Sequence, residues 1–236
     1  MTSIAKKLHL MIAQIGWRRA GLYLLRRVIQ NVPGCRLYVY HLVAQPVHVL
    51  PQSLKTSSVY QIRQVSREEY DCTWFPRPAQ IIQARYDQGC ICLVAFKQEI
   101  AVGCLWLCPG PYREDEVRCC FVPMPARETA WDFDVYIAPP FRIGRLFALL
   151  WQATNTWLAS RGVRWTLSRI DGLNVDSLRA HQRLGAQSTG SATFLLVGPL
   201  QIMFSSLAPY LHFSWSSFQI PRLAIQAPMT GEPDPR

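Results

Sequence analysis

The chain has 236 residues, half of them apolar, with 25 Lys/Arg, 15 Asp/Glu and 8 Cys. That length and apolar content bury one sizeable core with extensions, and they exclude a low-complexity or wholly disordered chain. The net charge of +10 is unevenly placed, because the first 67 residues hold ten Lys/Arg and no Asp or Glu, while the remainder holds fifteen of each.

In chain order, Ile4, Leu8, Met11, Ile12 and Ile15 form one apolar stripe. Trp17, Leu24, Leu25, Val28 and Ile29 form another after a break near Gly16, and Lys6, Lys7, Arg18, Arg19, Arg26 and Arg27 decorate both. Residues 1–57 therefore read as a basic, helical, amphipathic N-terminal extension. Such a helix suits the interface of an anionic membrane, and a solvated basic face is its plain alternative. Charged pairs interrupt every apolar run, so a membrane span is not expected, and the segment lacks the apolar centre and cleavage site of a secretory signal. Nucleic acid ranks lower as a partner, because no recognition motif accompanies the charge and Trp17 and Tyr23 form no stacking platform.

Val59 to Arg67 predicts a first strand, Glu68 to Trp74 a helix start, and Pro78 to Gln88 a further helical stretch ended by Gly89. Cys90 to Phe96 and Ile100 to Leu107 are two apolar strands joined by Lys97, Gln98 and Glu99, which predicts a hairpin. The Pro-rich, charged stretch Pro109 to Glu128 reads as a long loop.

From Trp131 to Ile137, Phe133, Val135 and Ile137 alternate with Asp132, Asp134 and Tyr136, the pattern of a strand. Asp132 and Asp134, two apart, are expected on one face. Pro139 and Pro140 end the strand. Apolar residues at three- and four-residue steps predict a helix from Ile143 to Leu158, closed by Arg161-Gly162. Val163 to Ile170 is the next strand, and the length of the connection favours parallel pairing. The unpaired amides at the helix start, beside Arg142, Gly144 and Arg145, make a cradle suited to a pyrophosphate. Asn174, Ser177, His181 and Gly185 follow as Asn-x-x-Ser-x-x-x-His-x-x-x-Gly.

Leu184 to Pro221 contains no Asp, Glu, Lys or Arg. Within it Thr193 to Val197 reads as a strand. Leu200 to Phe218, apolar and broken by Pro209, reads as a segment that docks on the domain, forms a dimer surface or dips into a lipid interface with Trp215 as anchor. From Met229 the chain reads as a disordered tail. The eight cysteines form no metal pattern, so no metal is expected, and they read as reduced thiols of a cytoplasmic protein.

The run DVYIAPPFRIGRLFALLWQATNTWLASRGVRWTLSRIDGLNVDSLRAHQRLG, residues 134 to 185, resembles the acyl-CoA-binding half of the GNAT N-acyltransferase superfamily. The likeness covers about 140 residues, Val59 to Val197. It implies an α/β (α+β) fold, a GNAT-like mixed central sheet flanked by helices, with the acyltransferase domain at 58–198 and an apolar C-terminal extension and tail at 199–236. It implies acetyl-CoA or another acyl-CoA as co-substrate and a small-molecule amine as acceptor. The residues it points to for the co-substrate are Val135, Ile137, Arg142, Gly144, Arg145, Asn174 and Ser177. The family's phosphate loop usually carries two small residues, whereas here those places hold Arg145 and Phe147, with Gly144 shifted by one. His181 stands where many members have a tyrosine that protonates the departing thiolate, and histidine is able to do that chemistry. For the base that strips the amine, Asp134 is the first choice and Asp132 the second. The forms Asp-Val-Tyr-Ile, Ser-Arg-Ile and Ser-Leu-Arg-Ala-His are similar to those of bacterial members associated with surface-polysaccharide synthesis, which implies an amino-sugar acceptor at the cytoplasmic membrane face. Two other classes fit the same residues: a non-catalytic GNAT-like scaffold at the membrane, and a transferase whose donor is an acidic acyl carrier protein held by the basic segment.

Overall fold

The computed structural model describes residues 16–48 and 59–228. The Ile4–Ile15 stripe and the tail from Met229 lie outside the described residues. In chain order the elements are α1 (Trp17–Gln30), β1 (Cys35–Pro46), β2 (Gln61–Val65), α2 (Ala79–Asp87), β3 (Ile91–Lys97), β4 (Ile100–Cys108), β5 (Tyr112–Arg113), β6 (Cys120–Met124) and β7 (Thr129–Ile137). A short 3-10 turn (Pro139–Phe141) leads to α3 (Leu146–Ala159), β8 (Trp165–Asp171), α4 (Val175–Arg183), β9 (Gln187–Val197), β10 (Leu200–Ser205), β11 (Leu211–Ser214) and β12 (Arg222–Gln226).

Nine strands form one mixed sheet in the order β11-β10-β9-β1-β8-β7-β4-β3-β2, and β12-β6-β5 form a second, small sheet. With the four described helices this is the mixed α/β architecture expected above, a large mixed sheet flanked by helices. Every neighbouring pair in the large sheet is antiparallel except β7 with β8, which run parallel around α3 as the strand-helix-strand pattern predicts. The β3–β4 hairpin turns through Gln98 (φ 49°) and Glu99 (φ 65°), the two consecutive positive φ angles of a type I′ turn.

The sheet has a core on each face. On one face Tyr40, Leu42, Trp106, Trp131 and Phe194 pack with Tyr70, Phe75 and Ile82 of the segments around α2, and with Phe121 and Leu223 of the small sheet. On the other face Leu93, Ala95, Leu105 and Ala130 pack under Leu146, Leu150 and Trp151 of α3. The alternation of β-strand side chains produces this division, because residues two apart share a face.

Four segments differ from the sequence expectation. Cys35–Pro46, read as part of a helical extension, is a strand in the middle of the large sheet, between β9 and β8. Glu68 to Trp74 is a set of turns, because Asp71 Oδ1 accepts from Thr73 N at 2.8 Å and Ser66 N donates to Glu69 at 3.0 Å, so local side-chain bonds replace helical ones. Pro109 to Glu128 is not a plain loop but contains β5 and β6, held by the parallel pairing of β6 with β12. Leu200 to Phe218 supplies β10 and β11, which lengthen the large sheet at its edge and leave Phe204, Tyr210, Phe213, Trp215 and Phe218 exposed. Among the described residues no helix is long and apolar enough to cross a membrane.

Gly103 on β4 lies against the last residues of β7. A Cβ there would sit 3.0 Å from the Tyr136 carbonyl oxygen and 3.5 Å from Ile137. Gly103→Ala is expected to push β7 outward and to cost about 1–3 kcal/mol of stability, read as a lower midpoint in urea unfolding.

Candidate active site

β7 and β8 pair only at Thr129/Trp165, Ala130/Thr166 and Trp131/Leu167. Beyond those residues the two strands part, and a cleft of about 610 Å³ opens between them and the start of α4. Parting leaves the facing backbone N–H and C=O groups of both strands without ladder partners, a template for an extended amide chain.

A β-bulge bends β7 at the mouth of this cleft. Phe133 pairs with Trp106 and Tyr136 with Cys104, so Asp134 and Val135 together oppose Leu105. Asp134 takes a left-handed φ of 48°, which aspartate tolerates better than most residues. The extra residue breaks the alternation. Asp132 stays on the α3 face beside Thr166 and Ser168, whereas Asp134 turns to the α2 face beside Phe133. The expectation that the two carboxylates share a face is corrected by this bulge.

Their electrostatics diverge accordingly. Asp134 accepts from Arg77 Nε at 2.8 Å and from Arg85 Nη1 at 2.6 Å. Burial alone would raise its pKa, but the Arg77 hydrogen bond and the Arg85 charge outweigh that and hold it below the ordinary value. Asp132 is fully buried, and its Oδ1 has no hydrogen-bond partner. Burial pushes its pKa up to about 7, against a lowering by the Thr166 and Ser168 hydroxyls, which approach it without closing regular hydrogen bonds. A carboxylate poised near neutrality can hold or release a proton at working pH, and one clamped by two guanidinium groups cannot.

His181 lies on the buried side of α4, with its ring edge-on to Trp151 at 5.6 Å between centroids. Its Nδ1 is 2.9 Å from Gln45 Oε1. An amide oxygen only accepts, so Nδ1 carries the proton and Nε2 the lone pair. Burial lowers the His181 pKa to about 4, so the ring is neutral near pH 7. A neutral ring in this tautomer offers Nε2 as a hydrogen-bond acceptor, and its low pKa makes it a weak base, so near pH 7 it carries no spare proton on Nε2 for a departing thiolate.

The cleft also brings in Val135, Ile137, Arg142, Asn174 and Ser177. Arg142 is exposed, and its Nε donates to the Ile137 carbonyl at 3.0 Å, so strand and loop are tied together. Asn174 caps α4 by accepting from Ser177 N at 3.1 Å. Gly144 and Arg145 do not line the cleft but stand exposed just before Leu146, the first residue of α3, where the helix's free amides begin. A Cβ at Gly144 would meet only the Phe141 oxygen, at 4.0 Å, so open space surrounds this turn. Phe147 is part of the cleft wall.

Next to the cleft lies a second cavity of about 440 Å³ that shares Arg77, Phe133, Asp134 and Arg169 with it. Its walls come from the turn before α2, from Arg85, and from Glu114, Asp115 and Glu116. Arg169 donates to Glu114 at 2.7 Å and to Glu116 at 2.7 Å, and Tyr40 donates to Glu116 at 3.0 Å. Four carboxylates (Glu114, Asp115, Glu116, Asp134) face three guanidinium groups (Arg77, Arg85, Arg169), leaving one negative charge in excess. The half-exposed Glu116 side chain is the most open of these acids.

Sequence reasoning did not single out Arg77, Arg85, Arg169 or the three acids. One signal was present: Arg85 follows Ile82 by three residues, so it shares the buried face of α2, and a cation there requires a buried acid.

No family model matches the chain, and no curated protein matches it. Among solved structures it is similar to a functionally unknown conserved protein from Staphylococcus epidermidis (17% identity, TM-score 0.49, covering 75% of this chain and 67% of that one). It is also similar to a glucosamine N-acetyltransferase region in a fungal multi-domain beta-N-acetylglucosaminidase (16%, 0.48, 76% and 22%). A third is an aminoglycoside acetyltransferase from an uncultured soil metagenomic sample (14%, 0.38, 55% and 90%).

Replacing Arg85 removes the partner of one buried acid and one of the two partners of another. Arg85→Met is expected to cost about 3–5 kcal/mol, measured by urea denaturation, because truncation leaves Asp115 and half of the Asp134 pairing uncompensated.

Proposed function

We propose that this chain is an N-acetyltransferase that moves the acyl group of an acyl-CoA to a small-molecule amine. The observation that carries the reading is Asp132, a buried carboxylate with an unpartnered oxygen and a pKa near 7, in the wall of a cleft made by two parting parallel strands. The acyl-CoA supplies the activated acyl group, whose transfer to nitrogen forms an amide and breaks the C–S bond. On this reading the free backbone groups of β7 and β8 take the amide-bearing arm of the co-substrate, and Arg142 with the first amides of α3 holds its phosphates, with Arg145 adding charge. The open turn at Gly144 supports that fit. Asp132 takes the proton from the ammonium acceptor, directly or through a water, and makes the nitrogen lone pair available. His181, neutral and with Nε2 unprotonated, serves as a hydrogen-bond acceptor beside it. The cavity next to Glu116, with its one excess negative charge, suits a cationic amine. The acceptor class is an amino sugar, on the strength of the sequence resemblance to polysaccharide-associated members.

Calorimetric titration with acetyl-CoA tests the reading, with saturable binding that is lost in Arg142→Ala, Arg145→Ala as the expected result. No binding of acetyl-CoA or longer acyl-CoAs points instead to the scaffold or to a carrier-protein donor. For the base, kcat/KM is expected to rise with pH through an apparent pKa near 7, and Asp132→Asn is expected to lower it at least ~100-fold. The folded pKa lies above the ordinary 3.8, so the native protein loses stability as pH rises between those two values. Asp132→Asn is therefore expected to raise the melting temperature at pH 8 while it removes activity.

The reading includes a peripheral site at an anionic membrane. In its support, Trp17, Leu24 and Val28 of α1 are exposed at helical spacing, Arg27 is exposed beside them, and the first 67 residues carry no acid. Co-sedimentation with phosphatidylglycerol vesicles that falls as salt rises is the expected outcome, and absence of binding at low salt would remove this part of the reading.

A further inference from the structure

The bulge in β7 is an unstable feature by itself, since a non-glycine residue sits in the left-handed region in the middle of a nine-residue strand. A regular strand would pair its residues with β4 one for one. That would shift the register after Phe133 by one residue and carry Val135, Tyr136 and Ile137 each to the opposite face. Val135 and Ile137 now pack on the α3 side and line the cleft, and Tyr136 packs on Phe75 at 5.4 Å on the other side. The shape of the cleft thus depends on keeping one extra residue in the strand.

We propose that Arg77 and Arg85 act as a latch on Asp134 that holds the bulge in place, and that Asp134 is a positioning residue for the acyl-CoA cleft rather than the base. The geometry is specific. Arg77 reaches Asp134 through two nitrogens, Nε and Nη2, and Arg85 through Nη1 at 2.6 Å. Arg77 precedes α2 and Arg85 lies in its last turn, so the latch joins the helix and the segment before it to the strand. Arg85 is itself fixed, for its side chain is 5% exposed, its guanidinium lies over the rings of Phe133 (5.0 Å) and Trp106 (5.3 Å), and its Nε donates to Asp115 at 3.0 Å. Because Asp115 lies in the wall of the second cavity, the same arginine ties the wall on the acceptor side to the strand on the co-substrate side. An acid that receives three charge-assisted hydrogen bonds from two guanidinium groups is held in its ionised form and is a poor acceptor for a substrate proton, so its bonds serve the backbone geometry.

The inference rests on the transferase reading for its catalytic consequence but not for its structural one, so the two are tested apart. In Asp134→Asn, which keeps a residue tolerant of left-handed φ while weakening both ion pairs, the dissociation constant for acetyl-CoA is expected to rise about 10-fold. The pH dependence of kcat/KM in that variant is expected to keep its limb near 7, since the titrating group is Asp132. Hydrogen exchange of the amides of Val135, Tyr136 and Ile137 is expected to speed at least 10-fold relative to the β3–β4 hairpin. Arg77→Met, at a side chain 38% exposed, is the milder variant if Asp134→Asn does not fold, and is expected to move the same readouts in the same direction by less. Loss of the limb near 7 in Asp134→Asn would make Asp134 the base and overturn the assignment. Unchanged exchange at residues 135–137 in both variants would overturn the latch. If the unmodified protein binds no acyl-CoA, the transferase reading fails, while the exchange measurement still decides whether the latch exists.

Discussion

The separation of β7 from β8 after three paired residues is the constraint on which the remaining site depends. Backbone hydrogen bonds inside a sheet are satisfied by neighbours, and a parallel pair that stops early leaves polar groups that need water or a ligand. The protein keeps that gap open from both sides. β8 is bound along its other edge to β1 by seven residue pairs, and β7 is bound along its other edge to β4, with the bulge in the middle. Neither strand is free to drift across and close the opening, because each is anchored to the half of the sheet behind it. The placement of β1 at the centre matters here, since without it β8 would have no second neighbour and the far half of the sheet, β9 to β11, would have nothing to pair with.

Two carboxylates two residues apart on one strand acquire opposite properties through this arrangement. Asp134 sits among cations and Asp132 sits among hydroxyls and apolar groups, so one is held ionised and the other is held near half-protonation. A tenfold change in the balance between protonated and ionised forms corresponds to about 1.4 kcal/mol, so the divergence represents a substantial difference in environment. The residue type is the same, and the divergence follows from the extra residue that sends the second side chain to the other face, where the two arginines lie. Separating the environments of a pair of acids is a general way to assign different roles to them, and here a single backbone irregularity does it.

The parts that were legible in the sequence are those whose signal is local. The hairpin of β3 and β4, the helix α3 with its glycine stop at Gly162, and the strands on either side of it follow from periodicity and turn residues, and they carry most of the cleft. The parts that were not legible are those set by long-range pairing. β1 alternates Tyr38, Tyr40, Leu42 and Ala44 with Leu37, Val39, His41 and Val43 and is apolar on both faces, so it has no polar face to mark it as a strand, and the basic segment before it invites a helical reading. β5, β6 and β12 are short, and the pairing of β6 with β12 joins residues about a hundred positions apart. The bulge leaves no mark in Asp-Phe-Asp-Val, and the partners that would reveal it, Arg77 and Arg85, lie about fifty residues upstream.

The distribution of polar partners gives the last step. Most buried charge is paired: Arg85 with Asp115 and Asp134, and Arg169 with Glu114 and Glu116. Against that background the unsatisfied atoms stand out, because Asp132 Oδ1, Thr166 Oγ1 and Ser168 Oγ lie together where β7 begins to leave β8. Three unsatisfied polar atoms in one place cost stability. A scaffold that only binds partners through its surface has no use for a buried carboxylate held near neutrality. On the proposed transferase reading, a site that must lend and take back a proton needs that group, with its solvation withheld. The proposed chemistry in the cleft therefore rests on this one group of unsatisfied atoms and on the carboxylate among them.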